Sequence, residues 1–224
     1  MSSPVQRWRL VAFLGGLFSL WLAVASPLAG MDHQLLTAHM AQHLLLMTVA
    51  APLILLGTPA ITLPRGIIQR VTGWQRVTGW QPIICWLSGT SVVIGWHVPA
   101  LFELGMRSAG WHAFEHATFF AAGLAFWWPV IEPKACPRWG IPIYLFLATL
   151  PCDALSAFLT FCDRVVYPHY LSAHRIFDFS PLADQACAGA LMWIWVTFVY
   201  LAPAAAITIR TLSPQRHALN PEAV

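Results

Sequence analysis

The chain has 224 residues, of which 58% are hydrophobic and 9% are charged, and its formal net charge is +3 at pH 7. A soluble domain carries roughly 25% charged residues because its surface faces water, so this composition excludes an ordinary soluble fold. No basic stretch with interleaved aromatic residues indicates binding of nucleic acid. We therefore expect one membrane domain, residues 1–224, whose main solvent is lipid.

Six stretches of the sequence are long and apolar enough to cross a bilayer. A hydrocarbon core about 30 Å thick requires about 20 mostly apolar residues in a helix. The stretches cover about residues 8–27, 33–57, 82–102, 110–131, 141–162 and 182–209. The sequence thus predicts an all-α, polytopic membrane helix bundle of about six transmembrane helices.

The first stretch has a second interpretation. Arg7 and Arg9, an apolar run and Ala23-Val24-Ala25 also fit a signal peptide with an A-x-A cleavage site. The apolar run is long for a signal peptide, which favours a retained helix. Cleavage would leave the orientation of the other five helices unchanged.

The basic residues predict the orientation of the bundle. Lys and Arg collect on the cytoplasmic side of bacterial inner membranes. Nine of the twelve fall on one side of the six stretches: Arg7, Arg9, Arg65, Arg70, Arg76, Lys134, Arg138, Arg210 and Arg216. The remaining three, Arg107, Arg164 and Arg175, fall on the other side. We therefore expect both termini to be cytoplasmic in a bacterial inner membrane.

The loop 58–81 contains a tandem repeat, with Arg-Val-Thr-Gly-Trp-Gln at 70–75 and again at 76–81. Its arginines, Trp74 and Trp80 suit the headgroup region of a membrane. We interpret this loop as an interfacial anchor.

The predicted topology sorts the nine histidines. Only His217 falls on the cytoplasmic side. The other eight fall on the extracytoplasmic side: His33, His39, His43, His97, His112, His116, His169 and His174. This bias indicates a function at that side of the membrane, although His33 near the boundary and the loop residues His169 and His174 are expected to be solvated.

Helical spacing places several of these histidines on shared faces. His39 and His43 are four residues apart, and Met47 extends their face by another turn. His112 and His116 share a face in the same way, with Glu115 beside them. Counting at 1.5 Å per residue puts most of them roughly 8–15 Å below the outer boundary, where polar groups usually mark a functional site.

Imidazole suits copper, zinc, iron and nickel, and thioether sulphur favours cuprous copper. The sequence therefore predicts a copper site. Its candidate ligands are His39, His43, His97, His112, His116, Glu115, Met40 and Met47. Any one of these histidines alone is equally well explained as a hydrogen-bonding group between helices.

Other polar residues of the chain have simpler interpretations. Asp153 lies in the middle of the fifth stretch, and the sequence does not choose between an ion pair, a proton relay and a protonated acid. Asp184 and Gln185 are expected to cap the sixth helix. A disulfide between Cys162 and Cys187 is conceivable, but we interpret the five cysteines as small apolar fillers of the bundle.

Several motifs resemble those of the CtaG-type cytochrome c oxidase assembly factors, in the same order and over about residues 30–203. The motifs are His39-Met40-Ala41-Gln42-His43, Leu46-Met47-Thr48-Val49-Ala50-Ala51-Pro52, Leu55-Leu56-Gly57-Thr58-Pro59, Trp96-His97-Val98-Pro99, His112-Ala113-Phe114-Glu115-His116, Phe126-Trp127-Trp128-Pro129, Tyr167-Pro168-His169-Tyr170, Asp184-Gln185 and Met192-Trp193.

The resemblance implies a multispanning membrane protein that helps to assemble a haem–copper oxidase by handling copper, without being an enzyme. Its partners would be oxidase subunits or other assembly factors. The resemblance carries the family's polar positions onto His39, His43, His97, His112, Glu115 and His116.

Three other functions stay open at this stage. Histidines from facing helices are also the axial ligands of haem in membrane electron carriers. The order HxxEH at 112–116 matches an inverted zinc-protease motif, which would make the chain a membrane hydrolase. A metal transporter needs a polar path to the cytoplasmic side, and apart from Asp153 the inner halves of the stretches are apolar.

Overall fold

A computed structural model describes residues 4–27, 29–58, 80–132, 137–174 and 178–213. Within these ranges all regular secondary structure is helical, as the sequence predicts. Some residues used to predict the topology lie outside the described ranges: Arg65, Arg70, Arg76, Lys134, Arg175, Arg216, His217 and most of the tandem repeat.

Nine α-helices lie within the described residues. In chain order they are α1 (Pro4–Ala25), α2 (Leu36–Leu44), α3 (Ala51–Gly57), α4 (Gln81–His97), α5 (Pro99–Met106), α6 (Ala109–Ile131), α7 (Gly140–Phe161), α8 (His169–Ser172) and α9 (Pro181–Leu212). A 3-10 turn, Ala29–Met31, follows α1, and a π-helical segment, Leu45–Ala50, joins α2 to α3.

Four helical stretches are long and apolar enough to cross a membrane: Pro4–Met31, Leu36–Gly57, Gly140–Phe161 and Pro181–Leu212. The pair formed by α4 and α5 makes a fifth if a bent pair counts as one span. Helix α6 has 23 residues and sufficient length, but His112, Glu115 and His116 lower its hydropathy. The described residues therefore contain four or five candidate spans by length and composition.

The third predicted span differs from expectation because it is broken. Helix α4 ends at His97, α5 begins at Pro99, and the two meet at an angle of 78°. Proline has no N–H to continue the helical hydrogen bonds and disfavours helical geometry in the preceding residue. Val98 accordingly has extended backbone angles, with φ −66° and ψ 123°. The break turns α5 toward α6.

The second span contains a widened turn beside the histidines. Pro52 lacks the N–H that would bond the carbonyl of Thr48, and the N–H of Ala51 bonds the carbonyl of Leu46, five residues back. Single π-helical turns inside α-helices occur frequently at functional sites. This one begins two residues after His43 and includes Met47.

Close packing holds the helices of the bundle together. Helix α7 packs along α9, α9 also packs on α2, and α6 packs on α3 and α4. A Cβ at Gly123 of α6 would lie 2.8 Å from the carbonyl oxygen of Met47, so only glycine allows this approach. The outward faces carry exposed apolar side chains, such as Val11, Phe198 and Leu212, as expected of a surface in contact with lipid.

The described cysteines carry free thiols: Cys85, Cys152, Cys162 and Cys187. The conceivable disulfide between Cys162 and Cys187 is therefore not formed. Cys85 and Cys152 are buried, in agreement with the role of apolar fillers, whereas Cys187 is exposed. Cys136 lies outside the described residues.

Candidate metal centre

The start of α2 is fixed by a carboxylate from the last helix. Asp184 accepts hydrogen bonds from the backbone N–H of Leu36, at 2.7 Å, and of Thr37, at 3.1 Å. The prediction that Asp184 caps its own helix, α9, was wrong, because Asp184 caps α2 instead. Ser180 caps α9 by accepting a hydrogen bond from the backbone N–H of Ala183. Because the first N–H groups of a helix have no partner within it, Asp184 anchors the helix that carries His39 and His43.

Helix α6 presents its own polar residues to α2. Its first turn is capped by Ser108, which accepts from the N–H of Trp111. His112 and His116 lie one turn apart with ring centroids separated by 4.2 Å. Glu115 lies on the buried side of α6 and is 1% exposed.

Glu115 lies between the two histidines of α2. Its Oε1 is 3.4 Å from Nε2 of His39 and 3.4 Å from Nε2 of His43. All three side chains are buried. Helices α2 and α6 thus bring these three side chains together.

Asp32, which is not among the ligands predicted from the sequence, extends the cluster outward. It is buried in the turn before α2, and its Oδ2 is 3.5 Å from Nε2 of His112. Its Oδ1 is 4.0 Å from Nε2 of His33 and accepts from the backbone N–H of His33. In the sequence, the only indication of this role is that Asp32 stands next to His33 at the start of a predicted span. The contact of Asp32 with His112 depends on tertiary packing.

Two groups of side chains bring potential ligand atoms within 4.8 Å of one another. We name His39, His112 and Glu115 the inner triad, and Asp32, His33 and His112 the outer triad. The inner triad is buried, whereas His33 exposes half of its side chain. His112 belongs to both triads.

Neighbouring imidazoles form a continuous series, which we name the histidine chain. From the exposed end inward, ring centroids are 5.7 Å apart for His169 and His33, 5.5 Å for His33 and His112, and 5.4 Å for His112 and His39. The series continues to His43, 4.3 Å from His39. His116 lies beside its inner end, 5.6 Å from His43, and its Nε2 is 3.2 Å from Oε1 of Gln42.

His97, Met40 and Met47 lie around a separate small cavity rather than in the triads. Its volume is about 30 Å³, and its lining includes His43, Cys152 and Met192. The Nδ1 of His97 lies 2.7 Å from the carbonyl oxygen of Val93. Because a carbonyl can only accept, Nδ1 carries the proton and Nε2 retains its lone pair. We name this the sulphur-lined cavity; it shares only His43 with the cluster around Glu115.

The outer loop contacts the cluster, so His169 is not simply solvated as predicted. His169 is half-buried, its N–H donates to Glu103, and its Nε2 lies 3.2 Å from the carbonyl oxygen of His33. Tyr170 donates its hydroxyl hydrogen to the carbonyl oxygen of Asp32 at 2.7 Å. His174 is exposed, as expected, and half-buried Asp153 belongs to neither triad.

Several buried polar atoms of the cluster have no hydrogen-bond partner among the described residues. They are both ring nitrogens of His39 and His43, both carboxylate oxygens of Glu115, and Nε2 of His97 and His112. Buried polar groups in native proteins are nearly always paired, because an unpaired one is costly. Imidazole nitrogens and a carboxylate oxygen facing one another are a donor set that fits a transition-metal cation.

The chain is similar to proteins of three mycobacteria. An uncharacterized protein of Mycobacterium bovis and one of Mycobacterium tuberculosis are each 27% identical over 216 residues, which cover 86% of this chain. An uncharacterized protein of Mycobacterium leprae is 26% identical over 208 residues, or 83% of this chain. The chain spans about a third of the length of these relatives, 31–32%.

No solved structure matches the chain. The model of the family described as cytochrome c oxidase caa3 assembly factor matches residues 2–213, nearly the whole sequence. The chain belongs to this family, the CtaG-type assembly factors of cytochrome c oxidase.

Proposed function

We propose that this protein assists assembly of a haem–copper cytochrome c oxidase by holding copper in the inner triad and presenting it to an oxidase subunit or another assembly factor. Membership of the assembly-factor family supports the process. The observation that supports the metal is the set of buried ligand atoms on His39, His112 and Glu115 that face one another without forming hydrogen bonds among the described residues.

The neighbouring residues would complete the site. His43 reaches the same carboxylate oxygen as His39, so it would be a further ligand of the same ion. Half-buried His116 is held by Gln42 on the other side of the cluster. A carboxylate that contacts two imidazoles also fixes their orientation, which raises the affinity of a metal site.

The sulphur-lined cavity would favour the cuprous ion. Thioether sulphur binds cuprous copper well, and Met40 and Met47 are both buried against this cavity. His43 lies between the cavity and Glu115, so it would connect the two environments. This role requires binding and release only, and we propose that the chain is not an enzyme.

We further propose six transmembrane helices with both termini cytoplasmic, in a bacterial inner membrane. Helix α6 is long enough to be the additional span, and its polar residues face α2 rather than lipid. The excess of basic residues on the side of the termini supports the orientation. The metal site then faces the extracytoplasmic side.

Metal and haem analysis of the purified protein tests the proposal. The wild type is compared with His39→Gln/Glu115→Gln, which removes two members of the inner triad, and with the control His174→Ala on the exposed loop. We expect copper near one per chain in the wild type and the control, a large loss in the double variant, and no Soret band. In cells, the double variant but not the control should then fail to support oxidase assembly.

Other outcomes would contradict the proposal. A Soret band would indicate a haem-binding electron carrier. Copper bound equally by the double variant would remove the inner triad from the proposal. Copper loss without any loss of oxidase assembly would separate the metal from the function.

A further inference from the structure

The outer triad differs from the inner triad in exposure and in position. His33 is half exposed, and Asp32 and His112 lie directly beneath it. All three line a cavity of about 540 Å³ between α1 and α6, which also reaches His116. A cation outside the protein therefore meets the outer triad before it meets His39 or Glu115.

The ligand atoms of the outer triad are held by independent contacts. Oδ1 of Asp32 is fixed by the N–H of His33, which leaves Oδ2 directed at His112. Tyr170 holds the carbonyl of Asp32 from the outer loop. Nε2 of His112 is buried and has no hydrogen-bond partner among the described residues. This is a preformed arrangement of two imidazoles and one carboxylate, which suits a divalent transition metal.

We propose that Asp32, His33 and His112 form a second metal site, at which Cu²⁺ is bound from the extracytoplasmic side before it moves to the inner triad. The inference rests on the proposed function for the direction of transfer, but not for the existence of the outer site.

His112 provides the route between the two sites. Because it belongs to both triads, an ion that moves between them would exchange Asp32 and His33 for His39 and Glu115 and find the same imidazole in each donor set. The exchange replaces one carboxylate and one imidazole by the same two groups, so the charge of the donor set is unchanged. The step is ligand exchange alone, with no change in the oxidation state of the ion.

The wild type and three variants in detergent test the outer site with Cu²⁺ as the probe: His33→Ala, His39→Gln/Glu115→Gln, and the triple variant that combines them. Copper per chain and the dissociation constant are measured by equilibrium dialysis with elemental analysis. His174→Ala serves as the control for loss of an exposed histidine on the same side.

We expect the His39→Gln/Glu115→Gln variant to retain a weaker Cu²⁺ site, and the triple variant to bind at least about tenfold more weakly still. In the otherwise wild-type protein, His33→Ala should slow Cu²⁺ uptake by about tenfold with little change in the final amount bound. Since the side chain of His33 is half exposed, its removal should not prevent folding, and this kinetic comparison holds even if the double variant is unstable.

Equal Cu²⁺ affinity of the double and triple variants, or equal uptake by wild type and His33→Ala, would overturn the outer site. Copper that depends on His33 but not on His39 and Glu115 would support the outer site and contradict the inner triad. Failure of this inference is thus distinguishable from failure of the proposed function.

Discussion

Oδ2 of Asp184 accepts a hydrogen bond from the backbone N–H of Leu36 at 2.7 Å, across 148 positions of the chain. The same carboxylate accepts from the N–H and the hydroxyl of Thr37 through Oδ1. One buried side chain of α9 therefore accepts the hydrogen bonds of the first free N–H groups of α2. The histidines of α2 lie one and two turns further along the same helix.

Asp184→Ala should lower the stability of the protein by about 1–3 kcal/mol, because it leaves N–H groups of α2 unpaired in a buried place. The thermal midpoint in detergent, followed by fluorescence-detected gel filtration, measures this loss. Asp163→Ala is the matched control, since the side chain of Asp163 is exposed and lies 4.0 Å from the equally exposed Arg164. Equal midpoints for the two variants would contradict the anchoring role of Asp184.

Gly105→Ala should weaken copper binding by about tenfold without removing any ligand. A Cβ at this position of α5 would lie 2.6 Å from Oε2 of Glu115, so the flexible carboxylate must move away. Dissociation constants for copper measure the effect. Gly95→Ala is the control because a Cβ there has no neighbour within 4 Å; if both variants bind copper like the wild type, the position of Glu115 is not important for affinity.

Met47→Leu should reduce affinity for Cu⁺ by about tenfold and leave affinity for Cu²⁺ nearly unchanged, because only the cuprous ion prefers thioether sulphur. The swap conserves volume, so its cost in stability should stay below about 1.5 kcal/mol. Competition with a chromogenic Cu⁺ chelator measures the first affinity. Met106→Leu provides a control, since Met106 is also buried but does not line the sulphur-lined cavity. An equal loss in both variants would contradict a specific role of the cavity.

Ionisation of Tyr170 should lower the stability of the folded protein at strongly alkaline pH. Burial raises the pKa of this tyrosine well above its usual value of 10.0. Above pH 10 the tyrosine of the unfolded chain loses its proton, while Tyr170 of the folded protein keeps it. The unfolded state then binds fewer protons than the folded state, so the free energy of unfolding falls as pH rises. Below pH 10 the hydroxyl is protonated in both states, and this contribution is constant.

Thermal midpoints of wild type and Tyr170→Phe between pH 8 and 11 check the sign. The variant lacks the hydrogen bond to Asp32, which is worth about 1 kcal/mol, so it should be less stable at pH 8. Its decline above pH 10 should be shallower than that of the wild type. Parallel curves would exclude titration of Tyr170 as a cause.

Much of the helical framework was predictable because apolar length is a local property of the sequence. The predicted stretches 110–131 and 141–162 differ from α6 (Ala109–Ile131) and α7 (Gly140–Phe161) by one residue at their ends. The break between His97 and Pro99 was not predicted, although Pro99 is its local cause. Proline is tolerated inside other helices of the same chain, as Pro151 and Pro203 are, so its presence alone does not decide between a bend and a break.

The candidate site was predictable only in part. Spacing of four residues placed His39 with His43, and His112 with His116, on shared faces. It could not show that Glu115 stands between His39 and His43, nor that Met40, Met47 and His97 line a different cavity. The rotation of one helix about its axis relative to another depends on close packing, such as that of Gly123 against Met47.

The sequence by itself determined that the chain is a helical membrane protein of the CtaG type with histidines concentrated near one end of its helices, because hydropathy and motif order are read along one dimension. Only the tertiary structure decided that Asp32 joins the cluster, that Asp184 anchors α2 rather than its own helix, and that His112 is common to two triads. Each of these is a contact between residues far apart in the chain, fixed by how the helices pack rather than by any local pattern.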